Sequence, residues 1–198
     1  MSKASLTIGG IPVSVDPING IIVFTAAMTM DGDGGRFTYA PDGRGRDDLA
    51  NAKTRDGHWC GVVTVNGVPY LRPDGFYVST TSCQRPGKAV CDPERYLDSE
   101  QVPFIAVPPE LIMAVPQTVI GSRVMVRNLK NKKWCVAAVG DVGPRGHLGE
   151  GSEALAKALG LDPSPRDGGT DAAIIQYEIH AGVPFNFNGE TLELQPLR

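Results

Sequence analysis

Short apolar runs bounded by Gly, Pro, Asn or Asp recur along the whole chain. They are LTIGGIPVSV (6–15), GIIVFTAAMTM (20–30), CGVVTV (60–65), YLRP (70–73), GFYVSTTS (75–82), VPFIAV (102–107), SRVMVRNL (122–129), KWCVAAVG (133–140), AAIIQYEIHA (172–181) and TLELQPL (191–197). Most are four to eight residues long and rich in β-branched or aromatic side chains, which predicts strands. Asn66-Gly67, between GVVTV and VPYL, predicts a tight hairpin. Lys130-Asn131-Lys132 predicts a second one, between VMVRNL and KWCVAAV.

One segment carries a full set of helix signals. Ser152 is placed to cap it, Glu153 complements its dipole, and Leu155, Ala158 and Leu159 are expected on one face. Gly160 stops it, and Pro163 and Pro165 follow. RDDLANA (46–52) is a weaker, shorter helical stretch. Many spaced strands with so little helix predict a mainly β protein, a barrel or barrel-like sandwich with one or two short helices. No repeat or linker divides it, so residues 1–198 are read as a single domain.

Composition agrees. The 24 glycines and 16 prolines leave little room for long helices. A net charge of −3 argues against a nucleic-acid partner, which needs a basic face. No apolar run is long enough to cross a bilayer as a helix, so no membrane partner is expected. The start, MSKASLTIGGIPVSV, lacks the pattern of a signal peptide. Cys60, Cys83, Cys91 and Cys135 form no CxxC pair, which disfavours zinc. They read as buried thiols acting as small hydrophobes, with a Cys83–Cys91 disulfide closing the QRPGKAV loop as the alternative.

Chemistry concentrates in GDVGPRGHLGEGSEALAKALG (140–160). Its glycines resemble a phosphate cradle, but the pattern is not GxxxxGK[ST], and Glu150 stands where a phosphate would go. Asp141 follows an apolar run and Glu150 is reached through the PRGHLG loop, so both acids belong at one rim. One plain reading is that Asp141 caps a turn and Glu150 satisfies the helix dipole. The other is a pair of carboxylates for glycosidic bond cleavage, one protonated and one ionised.

A second acidic cluster fills residues 31–49, where Gly35 and Asp42 break an EF-hand pattern. It is either a solvated loop or a cleft wall, with Asp31, Asp33 and Asp42 on sugar hydroxyl or amino groups and Tyr39 stacked on a sugar face. In GFYVSTTS the hydroxyl run offers Thr80 and Ser82 as ligand contacts. Alternation in YLDSEQVPF would aim Asp98 and Glu100 to one side. The histidines have no ligand spacing and no nucleophile elbow is present.

Taken in order, AAMTMDGDGGRFTYAPDGRGRDDLANA, WCGVVTVNGVPYLRPDGFYVSTTS, YLDSEQVPFIAVPPEL and VAAVGDVGPRGHLGEGSEALAKALGLDPSPRDGG resemble the fungal-type chitosanases of glycoside hydrolase family 75. The resemblance spans about residues 23–180. It implies a double-psi-like six-stranded barrel with added hairpins. It also implies an endo-acting, inverting hydrolase of β-1,4-linked glucosamine polymers, needing no cofactor or metal. Asp141 and Glu150 match the family's essential acids. Glu150 would be the general acid, provided burial outweighs the helix dipole, and Asp141 would activate water or stabilise charge. Family members are typically secreted, which implies action outside the cell or in its envelope; without a leader the alternative is the cytoplasm. The Cys83–Cys91 loop departs from the family pattern. The alternatives kept open are a peptidoglycan-active hydrolase or lysis protein of the same fold, and a glycan-binding barrel without catalysis.

Overall fold

The computed structural model describes residues 4–16, 18–116 and 120–196. The first three residues of MSKASLTIGGIPVSV and Leu197 of the last apolar run lie outside them. In chain order the strands are β1 (Ala4–Ile8), β2 (Ile11–Asp16), β3 (Ile21–Asp31), β4 (Thr64–Val65), β5 (Val68–Pro69), β6 (Phe104–Val107), β7 (Ser122–Asn128), β8 (Trp134–Val142), β9 (Glu150–Ser152), β10 (Thr170–Pro184), β11 (Asn186–Phe187) and β12 (Glu190–Thr191). Two short helices, α1 (Pro109–Ala114) and α2 (Glu153–Leu159), complete the regular structure.

Six strands close a barrel in the order β3-β10-β7-β8-β6-β9, with β9 pairing back onto β3. The pairs β3–β9 and β6–β8 are parallel and the other four are antiparallel. Numbered one to six along the chain, the barrel strands run one, six, three, four, two, five around the cylinder. Advancing every number by three leaves each strand's neighbours unchanged and carries the β3–β9 pair onto β8–β6. This pseudo-twofold order is the one expected of a double-psi-like barrel. β1 and β2 form an added hairpin on the β3 edge.

The alternation read in the sequence builds this wall. Ile22, Phe24, Ala26 and Met28 of β3 are buried, as are Ile175, Tyr177 and Ile179 of β10. Phe24 and Tyr177 face each other in register with ring centroids 4.8 Å apart. Burying one such aromatic stabilises the fold by roughly 1.5–3 kcal/mol. The Ser152 hydroxyl accepts from the Leu155 N–H at 3.3 Å, and Gly160 ends α2 with φ 69°. Ala158 is exposed, however, and Ala156 joins Leu155 and Leu159 in the core. The helix rotates by the geometry of its docking on β8 and β9, which the sequence spacing alone did not fix.

The Asn66-Gly67 turn joins β4 and β5, with both residues at positive φ. β7 and β8 form the second expected hairpin. Other runs are less regular than expected. GFYVSTTS makes only isolated bridges, Val62↔Ser79 and Leu71↔Tyr77, and RDDLANA forms one 3-10 turn (Leu49–Ala52) capped by Asp48. Residues 32–103 thus form a long excursion with little regular structure, which adds Cys83, Leu97 and Val102 to the main core. The Cys83 N–H ties it to the Gly140 carbonyl at 2.9 Å. All four cysteines are free thiols, so the Cys83–Cys91 bridge is not formed. Only Cys83 is buried, and Cys60 is exposed.

Candidate active site

Ordinary alternation along β8 would send Asp141 to the core with Val139. A bulge intervenes, since Ile105 pairs with Val139 and Ala106 pairs with Asp141, skipping Gly140. The bulge turns Asp141 to the outer face of the barrel. Glycine is required there, because a Cβ on residue 140 would lie 2.6 Å from the Phe104 side chain. Asp141 Oδ1 then accepts three hydrogen bonds: from the Ser82 hydroxyl (2.6 Å), the Ser82 N–H (3.0 Å) and the Val142 N–H (2.7 Å).

Glu150 opens β9, a strand missed in the sequence because it is three residues long and carries a central glycine. It pairs with Thr29 of β3 and Ala106 of β6. Gly149, at φ 97°, lets the chain press against β3, since a Cβ there would lie 2.3 Å from the Ala27 carbonyl oxygen. Glu150 does not serve the helix dipole. The first turn of α2 is occupied by Glu153, fully buried and paired with Arg46. Glu150 Oε2 is buried without a hydrogen-bond partner, in space left by the missing side chain of Gly143.

Asp31 ends β3 and is buried. Its Oδ1 accepts from the Asp33 N–H at 2.8 Å, which folds Asp33 back beside it. Asp33 Oδ1 in turn accepts from the Tyr39 hydroxyl (2.8 Å) and the Ser79 hydroxyl (3.3 Å). Carboxylate oxygens of Asp31, Asp33 and Asp141 lie within 4.8 Å of one another. Among the described residues, none of these acids or Glu150 is in an ion pair.

Such crowding in a low-dielectric site favours protons. Burial pushes Asp31 well above the ordinary aspartate range, and the charges of Asp33, Asp141 and Glu150 add to it. Asp33 is also raised, by burial and then Asp141, against the pull of Tyr39 and Ser79. Burial raises Asp141 too, opposed by its bonds from Ser82 and Val142. Burial and the Asp141 charge push Glu150 up to about 7. Three oxygens this close share either a proton or a hard cation. As a cation site they would fill at most half of a coordination shell of six to eight oxygens.

Asp33 and Asp141 face a cavity of about 540 Å³, with Thr80, Ser82, Cys60 and Gln84 on its wall. Among the described residues, no Lys, Arg or His lines it. Asp31 and Glu150 are not part of its lining.

The structure therefore gathers Asp31, Asp33, Asp141 and Glu150, with Thr80 and Ser82 beside them. It separates the other expected contacts. Tyr39 is 2% exposed and spends its hydroxyl on Asp33 and Asp47, so it has no face for a sugar. Asp42 is exposed and paired with Arg44 at 3.5 Å, away from the cavity. Asp98 and Glu100 lie in a turn, where the Glu100 N–H donates to Asp98 Oδ1 at 2.9 Å. Asp98 lines a second cavity with Arg36, Arg85 and Lys88, and Glu100 pairs with Arg46 at 3.4 Å. Strand alternation does not apply to a turn, which is why the two part. Ser79 lies in the hydroxyl run of GFYVSTTS and Gly143 in the glycine-rich 140–160 stretch, but neither is singled out by its own sequence signal.

A scan against protein-family profiles gives no match, and a search of curated proteins gives none.

Proposed function

We propose that this protein is a glycoside hydrolase that cleaves a β-1,4-linked glucosamine polymer with inversion. The observation that carries the reading is the contrast between two neighbouring acids. On Asp141 three donors to one oxygen oppose the rise that burial causes, whereas Glu150 has a buried, unpartnered oxygen and burial with the Asp141 charge pushes it up to about 7. Two acids in such unlike hydrogen-bonding environments can divide the work of general acid and general base. Both pair with Ala106 from opposite sides, so their backbones stand two strand spacings, roughly 9.5 Å, apart. Inversion needs the two carboxyl groups themselves about 6.5–9.5 Å apart, with a water between them.

In this mechanism Glu150 gives its proton to the glycosidic oxygen as the bond to the anomeric carbon breaks. Water attacks that carbon from the opposite face and loses a proton to Asp141. The cavity suits a neutral or cationic glycan because it presents acids and hydroxyls and, among the described residues, no basic side chain. The ordered segment resemblance to family 75 chitosanases supports the same substrate class.

A cell-wall glycan is the second reading. It is favoured by the adjoining cavity of about 410 Å³, which shares Tyr96 with the first and carries Arg36, Arg85 and Lys88 among its acids. Purified protein assayed on chitosan and on peptidoglycan sacculi separates the two. Loss of cleavage in both Asp141→Asn and Glu150→Gln is the expected result. Full activity in either variant would remove the two-carboxylate mechanism, and glycan binding with no cleavage would leave a binding barrel.

A further inference from the structure

We infer that Asp33 is a third catalytic carboxylate, holding the attacking water jointly with Asp141; this rests on the hydrolase reading above. Asp33 is not one of the two acids that the sequence pattern singles out for the chemistry. Its position nevertheless meets the substrate first. Of the four clustered acids, only Asp33 and Asp141 face the cavity.

The two carboxylates are built alike. Each has one oxygen fixed by donors from the excursion: Asp33 Oδ1 by Tyr39 and Ser79, Asp141 Oδ1 by Ser82 together with its neighbour Val142. Among the described residues, the second oxygen of each accepts no hydrogen bond. Gly61 keeps the approach to Asp33 open, because a Cβ there would sit 3.2 Å and 3.3 Å from its two oxygens.

The upper limit on the spacing admits one bridging water. A water donating to two acceptors through bonds of about 2.8 Å spans roughly 4.4 Å between them. Carboxylate oxygens of Asp33 and Asp141 lie within 4.8 Å. With both hydrogens so held, the water's lone pair points away from the acids, toward the cavity and the anomeric carbon. On attack, the water's O–H bond to Asp141 breaks and its oxygen bonds to carbon. The glycosidic oxygen leaves with the proton of Glu150. Asp33 keeps its hydrogen bond throughout and ends bonded to the new hydroxyl. Asp31, behind the pair, does not touch the water.

The test compares Asp33→Asn with Asp141→Asn and Glu150→Gln on a glucosamine oligomer. Asn keeps an oxygen for Tyr39 and Ser79 but offers the water a donor where it needs an acceptor. Asp33→Asn is expected to lower kcat at least 100-fold with KM changed less than about threefold, which is the size expected of a lost general-base interaction. Its residual acidic limb should move to lower pH, because Asp141 loses a like charge. Formate should restore part of the rate to Asp33→Ala, a rescue that a structural role would not allow and that only folded protein can show. Wild-type kcat in Asp33→Asn, with Asp141→Asn and Glu150→Gln inactive, overturns the role of Asp33 alone. Absence of both the limb shift and the rescue does the same. Activity in all three variants, or no glycan cleavage by the wild type, overturns the hydrolase reading and this inference with it.

Discussion

Asp141 and Glu150 flank a single residue: Asp141 of β8 and Glu150 of β9 are the register partners of Ala106 on the two edges of β6. Their spacing is therefore set by the barrel wall and not by the loop that joins them in sequence. The bulge at Gly140 and the close approach at Gly149 fix the two ends of that row. This rigidity makes the site's chemistry sensitive to the few groups that tune each acid.

Ser82 is the first such group. Its hydroxyl donates to Asp141 at 2.6 Å, and a donor to the ionised form holds the carboxyl down. Ser82→Ala should therefore move the acidic limb of the pH–rate profile to higher pH, because Asp141 must be ionised to act. A bond to a charged group of this kind supports a rate loss of about tenfold at mildly acidic pH. An acidic limb that stays in place would show that Asp141 is not the base.

Glu150 must carry a proton to act as the acid, and burial with the Asp141 charge pushes its pKa up to about 7. Activity should fall as pH rises through that value. Glu150→Gln should lose ~10²–10⁴ in kcat on a glucosamine polymer and flatten the alkaline limb. A substrate with a good leaving group, such as an aryl glycoside, needs little protonation and should be spared. Equal loss on both substrates would argue that Glu150 does something other than donate a proton.

Much of this was readable in the residues, for definite reasons. The buried face of β3 and the Asn66-Gly67 turn follow from local rules of alternation and backbone φ. Asp141 and Glu150 stood out because they flank a glycine-rich loop. What escaped depends on distant partners. β9 exists because β3 and β6 bind its backbone on both sides, and EGS alone carries no strand signal. Tyr39, Asp42, Asp98 and Glu100 sit in the excursion, whose course is set by tertiary hydrogen bonds, so alternation and loop polarity misplaced their side chains.

Gly143 offers a test that separates fold from function. A Cβ at this position would lie 2.5 Å from Glu150 Oε2 and 3.4 Å from the Ala106 side chain. The clash is with the end of a flexible side chain, so Gly143→Ala should fold with Tm within a few degrees of wild type. Glu150 must then move, and a displacement of about 1 Å at a reacting group costs on the order of 100-fold in rate. A folded Gly143→Ala enzyme with wild-type kcat would mean that Glu150 need not occupy its observed position.

Asp31 carries the cost of the cluster. Its folded-state pKa is raised, first by burial and then by Asp33, Asp141 and Glu150. A carboxyl raised on folding contributes stability that is fully present below its unfolded pKa and is lost as pH rises through the folded value. At neutral pH, where the unfolded carboxyl is ionised, the folded protein must either bind a proton or bury a charge, and the cluster weakens the fold, as functional sites commonly do. Asp31→Asn removes one charge, and the amide oxygen can still accept from the Asp33 N–H. The variant should gain about 1–2 kcal/mol at pH 7, read as a rise in Tm of roughly 2–4 °C per kcal/mol. The gain should shrink as pH falls toward the ordinary aspartate range near ~3.9, where wild-type Asp31 is protonated as well. Thermal melts of both proteins from pH 3 to 8 measure this directly. A gain that is the same at both ends would assign the effect to packing. A loss at pH 7, together with a wild-type Tm that rises on adding magnesium or calcium, would mean that a cation and not a proton neutralises the three carboxylates.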